Sequence, residues 1–154
     1  MNVWLMKSEP DEFSIQDLYR KGRENWDGVR NFQARNYMRE MALGDLVLFY
    51  HSSCKTPGIV GTATVSKTAH PDPSCYNPES PYYDAKSSAN KPRWDQVELT
   101  FESMCQDTIS LRYLKSLPTM ADFELITRSR LSVMPVKPPY WQVLEPLVRQ
   151  TRDL

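Results

Sequence analysis

Two apolar runs close together in the chain predict a β-hairpin. Leu46, Val47, Leu48, Phe49 and Tyr50 follow one another within residues 45–51, a run too short for an independent helix and rich in side chains that strands favour. A polar turn over residues 51–58, carrying Pro57 and Gly58, separates it from a second run over residues 59–65. Gly61, inside that second run, marks a bulge or a close backbone approach. Around the hairpin, other strand patterns are scattered among short helical ones, with no internal repeat and no regular βαβ alternation. That arrangement predicts an α+β fold built on a small, mostly antiparallel, curved sheet or barrel.

In chain order, Val3, Trp4, Leu5 and Met6 form a short buried strand that stops at the polar corner Lys7-Ser8-Glu9-Pro10, where Pro10 cannot donate to a ladder. Ser14, with an acidic Asp17 three positions on, opens a short helix that Gly22 closes. Residues 26–39 then read as a loop, with Trp26 and Gly28, running into a helix capped by Asn31. Phe32, Tyr37, Met38 and Met41 give that helix an apolar stripe, while Gln33, Arg35, Asn36 and Arg39 occupy its other face, and it ends near Gly44. Residues 70–92 are a long loop rich in Pro, Asp, Ser, Asn and Tyr. Residues 94–104 alternate as a half-buried strand, with Val97, Leu99 and Phe101 on one face. Ser110 caps a helix through Leu114, a second helix is expected over 120–126, and a strand over 130–136. A terminal helix over 140–149 has Pro139 near its first turn and turns Trp141, Leu144, Leu147 and Val148 inward.

A chain of 154 residues fits one domain, here residues 1–154, with enough core to fold without disulfides or metal. Lys plus Arg equals Asp plus Glu, 19 each, so no net field pulls the molecule onto nucleic acid or an anionic membrane. A nucleic-acid role must then rest on a local patch and a specific pocket. Cys54, Cys75 and Cys105 are odd in number and far apart, which reads as free thiols in a reducing, intracellular compartment. No apolar run approaches a membrane span, and Met1 leads straight into the first strand without a basic segment and cleavage site.

Groups for catalysis are thin. His51 ends an apolar strand and His70 lies among prolines, and neither has a second ligand at metal-binding spacing. Cys54 and His51 lack an orienting third group, and five glycines make no phosphate-cradling pattern. The expectation is a protein that is not an enzyme and uses no cofactor and no metal. The rival reading is an enzyme or small-metabolite binder with His51 as general base. A binding site makes better use of these residues: Trp26 offers a π-face, Tyr50 and His51 a second aromatic wall with polar tips, and Lys7, Ser8, Asn31 and Arg30 hydrogen-bond donors. Stacking a base on such rings is worth about 1–3 kcal/mol. Burying one extra methyl adds only about 0.8 kcal/mol, roughly a fourfold preference.

The segments Trp4-Leu5-Met6-Lys7-Ser8-Glu9-Pro10, Trp26-Asp27-Gly28-Val29-Arg30-Asn31 with Gln33-Ala34-Arg35-Asn36, Phe49-Tyr50-His51-Ser52, and Arg130-Leu131-Ser132-Val133 with Pro135-Val136 resemble the signature segments of the EVE domain family. The resemblance covers nearly the whole chain, and four long motifs stand in order. It implies a PUA-like fold, a β-barrel flanked by helices, related to the YTH domain that holds a methylated adenine in an aromatic cage. It also implies a non-enzymatic reader of modified bases, chiefly modified cytosine in DNA, with RNA as a second partner. Lys7-Ser8 resembles the pair that ends the first YTH strand, Trp26 a cage tryptophan, and the segment from Phe49 to Ser52 a pocket-lining strand. No clear counterpart of the other cage tryptophans stands in the chain, Trp94 being only a loose candidate. The implied base site is Lys7, Ser8, Trp26, Val29, Arg30, Asn31, Tyr50, His51 and Ser132, with Lys7, Arg30 and Arg35 meeting phosphate. The chain would act as a monomer away from membranes, in the cytoplasm of a bacterium or the nucleus of a eukaryote.

Overall fold

The computed structural model describes residues 1–90 and 92–154. In chain order the elements are β1 (Val3–Ser8), α1 (Ile15–Lys21), β2 (Arg23–Trp26), α2 (Phe32–Glu40), β3 (Leu46–His51), β4 (Gly58–Pro71), β5 (Asp95–Ser110), α3 (Leu111–Lys115), α4 (Glu124–Thr127), β6 (Val133–Pro135) and α5 (Pro138–Val148). The strands form one open six-stranded sheet in the order β2-β5-β4-β3-β1-β6, with β2 and β6 at its edges. The β1–β3 pair is parallel and the other neighbouring pairs are antiparallel. The expected α+β class, dominated by antiparallel pairing, is what the chain adopts.

The parallel pair decides where chemistry can gather. Ser8 stands opposite His51, so the polar corners that end β1 and β3 fall at the same end of the sheet. Lys7 N–H donates to Ser132 O at 2.9 Å, which brings the turn before β6 to that end as well. Between β3 and β6, β1 is covered on both faces, and Val3, Trp4, Leu5 and Met6 are all buried. This is why its sequence reads as a continuous apolar run rather than an alternating one.

Local signals for the helices act as expected. Ser14 and Asp17 make a full capping box on α1, Asn31 Oδ1 accepts from Ala34 N–H at 2.9 Å, and Ser110 Oγ accepts from Tyr113 N–H at 3.1 Å. Gly61 sits at a register shift between β4 and β5, and a Cβ there would stand 2.5 Å from the backbone oxygen of Ser103. Because that neighbour is backbone and cannot swing aside, Gly61→Ala is expected to destabilise the fold by about 1–3 kcal/mol, read as a lower urea midpoint with an unchanged slope.

Elsewhere long-range pairing overrides the local pattern. β2 takes in Trp26, expected in a loop, and residues 23–25, for which no element was expected, because Arg23, Glu24, Asn25 and Trp26 carry no apolar alternation and become a strand only by pairing with β5. β4 runs on to Pro71, into the loop expected over residues 70–92, and a 3₁₀ turn Pro73–Tyr76 follows; Lys91 of that stretch lies outside the described residues. The helix expected over 120–126 breaks at Phe123, whose backbone is extended, leaving a 3₁₀ turn Pro118–Met120 and the short α4. The strand over 130–136 shrinks to three residues because its first part belongs to a turn closed by Leu131 N–H to Arg128 O at 3.0 Å. Phe32, expected in the inward stripe of α2, is 48% exposed and stacks on Trp94 instead. No helix among the described residues is long and apolar enough to cross a membrane.

Candidate functional site

A cleft of ≈ 920 Å³ opens at the end of the sheet where β1, β2 and the turn before β6 converge. Its volume lies within the roughly 300–1,000 Å³ usual for small-ligand sites. Trp26, the last residue of β2, lines it while only 8% exposed. The indole is held edge to face by Phe49 at 5.2 Å and by Phe13 at 6.5 Å between ring centroids. The indole thus belongs to the hydrophobic core, and the cleft gives it an opening.

After Trp26 the chain turns through Gly28, whose positive φ of 77° suits glycine. Its N–H donates to Asp72 Oδ2 at 2.8 Å, and the Tyr82 ring lies so close that a Cβ would stand 2.7 Å from it. Arg30 fastens the same loop. Its guanidinium donates to Asp72 Oδ2 at 3.1 Å, Tyr82 O at 2.8 Å, Val29 O at 2.8 Å and Ser74 Oγ at 3.1 Å. Asp72 is fully buried. Burial pushes its carboxyl up, but the bonds from Ser74, Gly28 and Arg30 outweigh this and hold it below the usual carboxylate range. Asp27, on the cleft wall, goes the other way: burial first and the Asp72 charge second raise its carboxyl. At the end of β1, Lys7 Nζ lies 5.6 Å from the centre of the Tyr50 ring and donates to Ser129 O at 3.0 Å, and burial lowers its ammonium.

Of the residues expected to bind a base, Lys7, Ser8, Trp26, Val29, Arg30 and Ser132 line this one cleft. Four of the expected residues lie outside its lining. Tyr50 is only 2% exposed, with Lys7 over its ring, while Phe49 takes the side toward Trp26. His51 accepts the N–H of Ile15 on Nε2 at 3.1 Å, so its ring serves the start of α1 rather than the cleft. Asn31 spends its side-chain oxygen capping α2 and lines a smaller adjacent depression. Arg35 donates to Arg93 O at 2.8 Å and to Asn36 Oδ1, and lies against Phe32 and Trp94 outside the cleft. Trp94 is absent from the lining too, its indole N–H donating to Asp84 at 2.6 Å. Arg30 lines the cleft, but its donors are committed to the protein, which makes it a strut for the loop more than a phosphate ligand.

Sequence reasoning passed over Phe13, Asp27, Tyr82 and Arg130, all of which line the cleft. Phe13 carried a signal, an aromatic directly before the Ser14 cap, where a hydrophobic residue commonly fixes the entry of a helix. Among the described residues no three His, Cys, Asp or Glu side chains are grouped to hold a metal ion.

Known proteins share this architecture. Residues 2–147 match the EVE domain family. The chain is 41% identical to mouse thymocyte nuclear protein 1 across 154 aligned positions, covering 88% of this chain and 68% of the relative. A crystal structure of a Pseudomonas putida protein superposes with a TM-score of 0.91 at 47% identity, over 95% of this chain and 99% of that one. The human THYN1 protein, solved in complex with DNA containing 5-methylcytosine, superposes with a TM-score of 0.92 at 36% identity, over 99% of this chain and 100% of that one. By sequence over nearly its full length and by its PUA-like α+β architecture, the chain belongs to the EVE domain family.

Proposed function

We propose that this EVE domain binds nucleic acid and accepts a modified cytosine of DNA in the cleft walled by Trp26, acting as a single-domain, monomeric reader rather than an enzyme. The observation that carries the reading is an indole lining a cleft with ample room for a base, in a fold shared with a protein that was solved on 5-methylcytosine DNA. Ring contact with Trp26 supplies about 1–3 kcal/mol whichever base enters. The polar edge is met by Ser8, Ser132 and Asp27, and a carboxyl such as Asp27 suits the exocyclic amine that distinguishes cytosine. A buried methyl by itself gives roughly a fourfold preference, so larger discrimination needs shape fit or an expelled water. Extruding a base costs a few kcal/mol, least for mismatches and single strands, which should therefore bind more tightly than perfect duplex.

Against the rival reading, His51 already receives a backbone N–H on Nε2, and acting as a base would break the bond that anchors the start of α1. The test is an anisotropy titration at low salt with two oligonucleotides that differ only in carrying 5-methylcytosine or cytosine at one position. The methylated strand is expected to bind at least about fourfold more tightly. Equal binding of the plain strand and of every modified one tried would remove the reader reading, and turnover that depends on His51 would favour the rival.

A further inference from the structure

The cleft has two electrical sides. Glu9, Glu12 and Asp27 line it together with Tyr82, whose hydroxyl is raised by burial first and then by the charges of Glu12, Asp27 and Glu9, against the Arg30 guanidinium bound nearby. On the side of β6 stand Arg130 and the hydroxyl-bearing Ser129 and Ser132. The cations differ in availability. Arg30 is bound to Asp72, Lys21 lies 2.6 Å from Glu24, and Lys7 donates to Ser129 O. Arg130 is exposed, and among the described residues its side chain has no hydrogen bond or ion pair.

Arg130 also borders a second depression of ≈ 360 Å³, lined by Asn31, Thr127, Arg128, Ser129, Arg130 and Leu131, which shares Ser129 and Arg130 with the cleft. No carboxylate lines it. The turn that builds it is fixed at three points: Leu131 N–H bonds Arg128 O at 3.0 Å, Leu131 is 3% exposed, and Lys7 Nζ holds Ser129 O at 3.0 Å. Asn31, with its oxygen committed to the α2 cap, keeps its amide N–H₂ as a donor. Guanidinium, hydroxyl and amide donors around a carboxylate-free hollow are the set that phosphate oxygens accept from.

We infer that this depression holds the phosphodiester next to the base in the cleft, with Arg130 as its cation, since Arg128 lies 3.6 Å from Glu124. The inference rests on the reader reading for the position of the base, and the acidic group around Tyr82 gives its direction: the strand must leave the cleft on the β6 side. The experiment titrates the full chain and Arg130→Ala with the methylated and plain oligonucleotides over a series of salt concentrations. Arg130→Ala is expected to weaken both strands equally, by roughly tenfold. It should also make the slope of log affinity against log salt shallower by roughly 0.7 on single strands. Replacing the phosphodiester beside the modified base with an uncharged methylphosphonate should erase the difference between the variant and the parent. An unchanged affinity and slope, a change confined to the methylated strand, or a difference that survives the methylphosphonate would overturn the assignment. The two readings fail separately. Without base discrimination, Arg130→Ala would still weaken plain DNA, and without a phosphate site, the preference for methylcytosine would persist at an unaltered slope.

Discussion

Trp26→Ala is expected to abolish the distinction between methylated and plain cytosine and to weaken both strands, because it removes the ring on which either base would rest. Losing a stacked base contact corresponds to about 1–3 kcal/mol, or roughly 5- to 150-fold in affinity. The indole is also part of the core, 8% exposed and packed against Phe49 and Phe13. Truncating it should lower folding stability by about 3–5 kcal/mol, and urea unfolding will show this independently of any ligand. Trp26→Phe separates the two roles. It keeps a ring against Phe49, should remain folded, and is expected to retain a reduced affinity with part of the preference for the methylated strand. If folded Trp26→Phe and Trp26→Ala both bind the two oligonucleotides as the parent does, the base is held elsewhere. This outcome differs from that for Arg130→Ala, which should weaken binding without touching the preference.

Which parts of this molecule could be read in advance follows from how far away each residue's partner lies. The hairpin of β3 and β4 and the caps at Ser14, Asn31 and Ser110 depend on residues a few positions apart, and their signals survive folding unchanged. β2 was not legible because Glu24, Asn25 and Trp26 owe their extended state to β5, a strand far along the chain. The same distinction runs through the site. Lys7, Ser8 and Trp26 end strands, and strand ends gather wherever the sheet places them. Tyr50 lies outside the cleft lining because Phe49 takes the side toward Trp26, whereas His51 shares the side of Phe49 and is engaged by the Ile15 N–H, a partner 36 residues away that composition does not display. The arginines show the limit most plainly. The sequence points to Arg30 for phosphate and passes over Arg130, yet Arg30 meets Asp72 at a separation of 42 residues and is consumed by it, while Arg130 points from a pinned turn without a partner among the described residues.

Asp72 is buried and does not line the cleft, yet substituting it is expected to damage both stability and binding. Its two oxygens gather the Gly28 N–H, the Arg30 guanidinium, and the N–H and hydroxyl of Ser74, so one carboxylate ties the loop after Trp26 to the turn that begins at Pro73. Removing one member of a buried ion pair strands the other charge, at a cost of about 3–5 kcal/mol, and Asp72→Ala should show a loss of that order in guanidinium unfolding. Asp72→Asn keeps the shape but neither the charge nor all the acceptors, and should fall between the parent and Ala. Its pH dependence identifies the cause. Because the folded carboxyl is held below its unfolded value, its contribution is fully present above the ordinary carboxylate range and is lost as pH falls through the folded value. The parent should therefore lose stability steeply below about pH 4, whereas Asp72→Asn, with no proton to take up there, should lose less. The gap between them must narrow as the solution is acidified. A gap that stays constant across that window would mean that the variant acts through packing rather than charge, and that Arg30 is held by its carbonyl and hydroxyl partners alone.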